Sequence, residues 1–310
     1  MLNKFPRFAF AFALLCLAPN VASSTEMDDL YFVDAQSQLP KGLNLKSIIP
    51  LMDKAGVWHT ILSAGADRSP QEVAFFTQAN PYRMTAAVRS QGKDFMNNSP
   101  GFPKMLNFQL NNPAFRSFGE AILFRPRISR KLPRVDVGAN HPQSEIMLDE
   151  ALLRGWPFIA HYEFASAGAK RDVYMRELET MLRKYRQVDT VLINMGQLPP
   201  EDVRHLISGN KNIFFMMSRS NPAYIANYNK QPWVNMFDGE DLSSGWKTLI
   251  LDHPDRFVVG LDNTWLKQWD QLYMDQTSIW RAALKKLPND VAVALAHGNA
   301  ERLWDLPPRP

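Results

Sequence analysis

Short apolar runs rich in β-branched and aromatic residues recur along the chain at 30–33, 59–63, 84–88, 121–124, 158–162, 190–194, 213–217 and 257–261. Each is too short for a buried helix and predicts a strand, eight in all. Helical patterning lies between them. Ser69-Pro70-Gln71-Glu72 reads as an N-cap, a proline in the first helical position and an acidic first turn. The stretch 144–153 sets Ile146, Leu148, Ala151 and Leu152 toward one side. Residues 171–185 and 277–287 read the same way, with charges opposite the apolar stripe.

Strands alternating with helices imply βαβ units and a parallel sheet. Eight units in roughly 250 residues predict an α/β fold closed as a (β/α)8 TIM barrel. An open doubly wound sheet is the alternative. With no short-period repeat and no low-complexity linker, a single domain over 24–310 is expected. Barrel chemistry comes from strand C-termini and the loops after them. That rule selects Asp34, Gln36 and Gln38, then Arg89, Arg125 and Arg127, then His161 and Glu163. It also selects Asn194 and Gln197, Ser218 and Arg219, and Asp262.

The N-terminus changes the compartment. Lys4 and Arg7 precede an apolar stretch over 8–18, and Val21-Ala22-Ser23 offers small residues for cleavage. That is the pattern of a signal peptide over 1–23, and it places the mature protein outside the cytoplasm, secreted or periplasmic. Cys16, the chain's one cysteine, would leave with it, so no disulfide is expected. After Lys4 and Arg7 are removed, 33 basic residues face 31 acidic ones. This balance excludes an electrostatic nucleic-acid surface. No later run of 18 apolar residues follows, so no membrane partner is expected after cleavage.

The motifs carry a family resemblance. Asp34-Ala35-Gln36-Ser37-Gln38 resembles the Asp-x-His-x-His motif of the amidohydrolase-related superfamily, and 51–63 resembles its first helix and second strand. Ile193-Asn194-Met195-Gly196 is similar to its strand-6 His-Met-Gly, and Val259-Gly260-Leu261-Asp262 to its strand-8 Gly-x-Asp. The segment Gly298-Asn299-Ala300-Glu301-Arg302-Leu303 is similar to its closing Gly-Asn-Ala-x-Arg-Leu. The resemblance implies a metal-dependent barrel that hydrolyses or decarboxylates. Its ligands would be two strand-1 histidines, a strand-5 histidine and the strand-8 aspartate.

Here His161 and Asp262 match, whereas Gln36, Gln38 and Asn194 carry carboxamides where the family has imidazoles. A catalytic zinc needs three ligands drawn from thiolate, imidazole and carboxylate, so no tightly held transition metal is expected. A hard cation weakly bound by Asp34, Glu163, Asp262 and amide oxygens stays open.

The remaining residues each have two readings. Gln36 and Gln38 are substrate-binding amides, or they fill the barrel mouth. His161 and Asp262 form a base dyad, or a buried ion pair left from a lost metal site. Five basic residues over 125–134, led by Arg125, grip an anion or sit in a solvated loop. Tyr224, Tyr228, Trp233, Phe237 and Trp246 form a lid or pack an insertion, and Trp265 and Trp269 face the same choice. His59, His141, His205, His253 and His297 lack metal-like spacing and read as structural.

The function expected is hydrolysis of a small, carboxylated substrate. His161 and Asp262 would activate water, Gln36, Gln38, Glu163, Asn194 and Trp265 would shape the site, and Arg89, Arg125 or Arg219 would neutralise the carboxylate. The alternative is a non-catalytic barrel that binds a ligand or partner at the same mouth. A homo-oligomer stays open.

Overall fold

The structure, a computed structural model, describes residues 29–130, 132–307 and 309–310. The signal-peptide expectation over 1–23, and Cys16 with it, lies outside the described residues.

Four strands, β1 (Phe32–Leu39), β2 (Val57–Ala64), β3 (Met84–Val88) and β4 (Phe115–Phe118), pair in parallel in that order. A second sheet contains β5 (Ala121–Arg125), β6 (Val135–Asp136), β7 (Phe158–Tyr162), β8 (Thr190–Leu192) and β9 (Ile213–Met216). Between β9 and the last strand lies the hairpin β10 (Phe237–Asp238) and β11 (Asp241–Leu242), and β12 (Phe257–Val258) completes the set. The second sheet runs β12-β9-β8-β7-β5-β6, parallel except for the antiparallel β5–β6 pair.

Backbone hydrogen bonds join the two sheets into a barrel. β4 and β5 are halves of one strand bent at Gly119-Glu120, where Gly119 N–H donates to Val88 O at 2.8 Å. A Cβ on Gly119 would stand 2.9 Å from that same oxygen, so only glycine lets the strand bend this close to β3. At the other seam, Ala35 N–H donates to Val259 O, Asp262 N–H to Gln36 O, and Gln38 N–H to Asn263 O, at 3.2, 2.8 and 2.8 Å. Counting the bent strand once, the barrel has the eight strands that the apolar runs predict.

Two apolar layers hold it together. The larger packs helices against the outer strand face. The smaller fills the barrel with Val33, Ala35, Ile61, Ile159, Val191 and Phe214, among others. Ala300, Leu303 and Trp304 of the closing helix (Asn299–Trp304) belong to this inner layer. Trp304 Nε1 donates to Ser117 Oγ at 2.9 Å. The Gly-Asn-Ala-x-Arg-Leu segment therefore plugs the barrel floor, away from the mouth.

Helix starts follow the sequence signals. Ser69 caps the helix Pro70–Gln78 and forms a reciprocal capping box with Glu72. The helix around 144–153 runs Pro142–Arg154 and buries Gln143, Ser144, Met147, Leu148 and Ala151. Leu152, expected on the apolar side, is 43% exposed because the buried stripe is centred one position earlier. The last long helix is Gln271–Leu284, beginning well before the predicted 277. Its first turns already bury Leu272, Tyr273 and Gln276, so the buried stripe starts earlier than predicted. Among the described residues, no helix is long and apolar enough to cross a membrane.

Candidate functional site

β1 is longer than its apolar run because its polar half is buried: Asp34, Gln36, Ser37 and Gln38 all lie within it. The pairing Asp34–Thr60 followed by Ser37–Leu62 gains one residue, a β-bulge that reverses the in–out alternation. A regular strand would put Asp34, Gln36 and Gln38 on one face; the bulge separates Asp34 from the two glutamines. Val33 and Ala35 fill the barrel, while Gln36 and Gln38 turn inward only beyond the bulge.

Asp34 turns to the other side, accepting from Leu261 N–H at 2.7 Å and Ser37 O–H at 2.6 Å. It staples β1 to the loop after β12 and does not join Glu163 and Asp262 around a cation. Burial pushes its carboxyl up to about 7, against the pull of those hydrogen bonds.

The centre of the site is His161 at the end of β7. Its Nδ1 lies 2.8 Å from Glu120 Oε2 and its Nε2 lies 3.1 Å from Glu163 Oε1, with all three residues buried. Burial opposes charge on the ring, but Glu120, and then Glu163, hold the proton and raise its pKa to about 9. With carboxylates at both nitrogens, the ring is an imidazolium donating twice. Burial pushes Glu120 up, and His161, Arg219 and Gln91 together hold it well below the usual carboxylate range. Glu120 Oε1 accepts from Gln38 Nε2 at 3.0 Å and Gln91 Nε2 at 2.6 Å.

Asp262 is not the partner of His161, as the dyad reading expected. Arg219 Nη2 stands 2.7 Å from Asp262 Oδ2, and the guanidinium lies 5.1 Å from the Trp233 ring and 5.5 Å from that of Tyr224. Burial drives Asp262 up, Arg219 pulls it down and Glu120 pushes it up again, leaving its pKa at about 7. Burial works against the charge on Arg219, but Asp262, Tyr224, Glu120 and Glu163 outweigh it and raise its pKa.

Several buried polar atoms around this centre have no partner: both amide atoms of Gln36, Glu163 Oε2, Asn194 Nδ2, Arg219 Nε and Asp262 Oδ1. Asn194 Oδ1 accepts from Ser218 O–H at 2.7 Å. The backbone here is held out of its ordinary regions. Asn194, Met195, Gly196 and Gln197 turn left-handed in succession, with φ of 57, 53, 62 and 56°. Strand 6 consequently ends at Leu192, not at Asn194 as predicted. Arg219 and Asp262 are left-handed as well, at 56 and 47°. For non-glycine residues this conformation costs on the order of 1–3 kcal/mol each and clusters at functional sites.

Above the centre opens a cavity of about 460 Å3 lined by Gln38, Glu120, His161 and Arg219, with Arg89, Arg125 and Trp265 at its walls and rim. Arg89 Nη1 donates to Ala66 O at 3.2 Å, and burial lowers its pKa. Arg125 Nη2 donates to Pro133 O at 3.0 Å while its Nε is buried without a partner. Burial lowers its pKa too, against the raising effect of Glu120 and Glu163. The basic loop thus divides. Arg125 points into the cavity, Arg127 and Arg130 are solvent-exposed, and Arg134 pairs with Asp136 at 2.6 Å.

Of the aromatics, Tyr224, Tyr228 and Trp233 line the cavity, whereas Phe237 and Trp246 are buried in the outer core. His59, His141, His205 and His297 hydrogen-bond their surroundings outside the site.

Glu120 and Gln91 were missed by sequence reasoning. The strand-end rule takes residues after a strand, and Glu120 sits within one, between Phe115-Arg116-Ser117-Phe118 and the apolar run 121–124. The one available signal was Gly119-Glu120 immediately ahead of the apolar run 121–124.

A metal, which the resemblance implies, does not match these donors. The strand-1 positions supply amides, both His161 nitrogens face carboxylates at 2.8 and 3.1 Å, and Asp262 faces a guanidinium. Among the described residues, no three His, Cys, Asp or Glu side chains are arranged to hold a metal ion.

No protein-family model matches the chain, and no curated protein matches it. Solved structures do. An uncharacterised TIM-barrel protein from Bordetella bronchiseptica is 14% identical with a TM-score of 0.56, covering 85% of this chain and 83% of its own. A probable 2-pyrone-4,6-dicarboxylic acid hydrolase from Acinetobacter baumannii with citric acid bound is 13% identical with a TM-score of 0.55, covering 88% and 99%. An amidohydrolase from Burkholderia multivorans with bound zinc is 12% identical with a TM-score of 0.53, covering 89% and 100%. The chain has the TIM-barrel fold, and its fold neighbours are the amidohydrolase-type barrels that its motifs resemble.

Proposed function

We propose that this protein hydrolyses a small carboxylated molecule without a tightly held transition metal. The observation that carries this reading is the pair His161 and Arg219 lining the cavity, with Asp262 buried directly behind Arg219. Two organic cations, the His161 imidazolium and the Arg219 guanidinium, stand there, each against a buried carboxylate. Beside them Asp262, with a pKa near 7, is tuned for a general base at neutral pH.

In this scheme Asp262 Oδ1 takes the proton of a water held by the Gln36 and Asn194 amides. The hydroxide adds to the substrate carbonyl, Arg219 and His161 stabilise the oxyanion, and the leaving group departs with the proton returned by Asp262. Arg89 and Arg125 hold the substrate carboxylate. His161, being protonated, is an electrostatic group here and not the base first expected. The fold neighbour described as a hydrolase of a dicarboxylate, with citric acid bound, supports the same substrate class.

A binding role has one observation in its favour: Gln38, Gln91 and His161 all converge on the Glu120 carboxylate, a rigid network that needs no turnover. The two readings separate on a panel of lactones, esters and amides bearing carboxylates, with citrate as the binding control. A hydrolase shows turnover that Asp262→Asn lowers by about 10²–10⁴-fold while citrate affinity is kept. A binding barrel holds citrate and turns over nothing. Export is also proposed, on the strength of the charged and apolar leader; sequencing the N-terminus of protein recovered outside the cytoplasm is expected to begin near Ser24.

A further inference from the structure

The mouth cavity has more apolar wall than a small dicarboxylate can use. Its volume, about 460 Å3, lies in the range that encloses drug-sized ligands. One wall comes from the β5–β6 hairpin, with Ile122, Ile128 and Val135; the other comes from the loops after β9 and β12, with Tyr228, Trp233 and Trp265. Ile128 and Trp265 are 37% and 46% exposed at the rim, large apolar surfaces left facing the opening.

Set in the hairpin wall, Arg125 has a buried Nε without a partner and, among the described residues, makes no ion pair. A guanidinium held this way gains most from a ligand carboxylate, which supplies both the missing charge and the missing acceptor.

We infer that the pocket takes an amphipathic monocarboxylate, its carboxylate on Arg125 and its hydrocarbon or aryl body between the hairpin wall and the Trp233–Trp265 wall. This deepens the reading of the cavity as an anion site. It is tested by binding alone, so failure to hydrolyse leaves it standing and failure to bind leaves the hydrolytic reading to its own panel.

The experiment is calorimetric titration of the purified protein with hexanoate, octanoate, decanoate, 2-naphthoate and citrate. Affinity is expected to rise about fourfold per added methylene, with decanoate and 2-naphthoate both tighter than citrate. Which of those two binds more tightly separates an acyl from an aryl body, and either order supports the inference. Arg125→Met is expected to weaken decanoate at least tenfold and to leave decanamide unchanged. Trp265→Ala, at an exposed rim position compatible with folding, is expected to flatten the gain from octanoate to decanoate. A series with no length dependence, citrate tighter than decanoate, or Arg125→Met weakening acid and amide alike would overturn it.

Discussion

Replacing His161 with alanine is expected to cost about 3–5 kcal/mol of folding stability, because it strips the counter-charge from buried carboxylates. Glu120 and Glu163 are both buried, and each directs an oxygen at the ring. Gln38 and Gln91 would still donate to Glu120, but Glu163 has no second partner for its Oε2. Urea unfolding should show a lower midpoint at unchanged slope.

Adding Glu120→Gln and Glu163→Gln to the alanine variant should return most of the loss, since neutral amides need no counter-charge. The sign with pH is fixed by the raised pKa. Stability contributed by His161 is complete below the unfolded value of 6.5 and is lost as pH rises through about 9. The gap between wild type and His161→Ala should therefore narrow above pH 9. A loss well under 1 kcal/mol at pH 6 would show that the ring does not bridge the two glutamates.

The barrel was legible in the sequence because its signal is redundant. Eight apolar runs, spaced by helical stretches, leave few topologies for a chain this long. The site was legible only as a set of strand ends. His161 and Arg219 do line the cavity and Asp262 backs Arg219, but their pairing is set by details that the period-2 pattern cannot carry. The bulge in β1 turns Asp34 away from the glutamines. The glycine bend brings Glu120 from inside a strand to the imidazole. The left-handed backbone at Arg219 and Asp262 turns them toward each other. Each is a local departure from ideal geometry, and each falls where the site is built.

The glycine bend also gives one of the carboxamides a partner. Once Glu120 supplies a carboxylate to His161, a metal would compete with the proton on the ring, and glutamine at 38 becomes useful as a neutral donor to Glu120. Asn194 plays a similar part across the barrel, accepting from Ser218 and keeping its amide nitrogen inward. Of the three carboxamides, Gln38 joins the Glu120–His161 network, Asn194 pairs with Ser218, and the Gln36 amide is buried without a partner.

Arg219→Met should make the stability of the protein strongly pH-dependent through Asp262. In the wild type, Arg219 is the largest influence lowering the Asp262 carboxyl, which already sits near 7 against an ordinary 3.8. Without it, burial and the neighbouring Glu120 carry the folded-state value well above 7. A carboxyl whose folded pKa lies above its unfolded one destabilises the fold progressively as pH climbs from the unfolded value toward the folded one. At pH 4, where Asp262 is protonated in the folded state, the variant should lose the stacking of the guanidinium on Tyr224 and Trp233, about 0.5–2 kcal/mol, together with its weaker pull on Glu120 and Glu163, which is the same at pH 8. At pH 8 the loss should reach about 3–5 kcal/mol, the cost of an uncompensated buried charge. The double variant Arg219→Met with Asp262→Asn has no such carboxyl, so its deficit should be flat between these pH values. A single variant equally destabilised at both would mean that Arg219 acts through packing and not through the charge of Asp262.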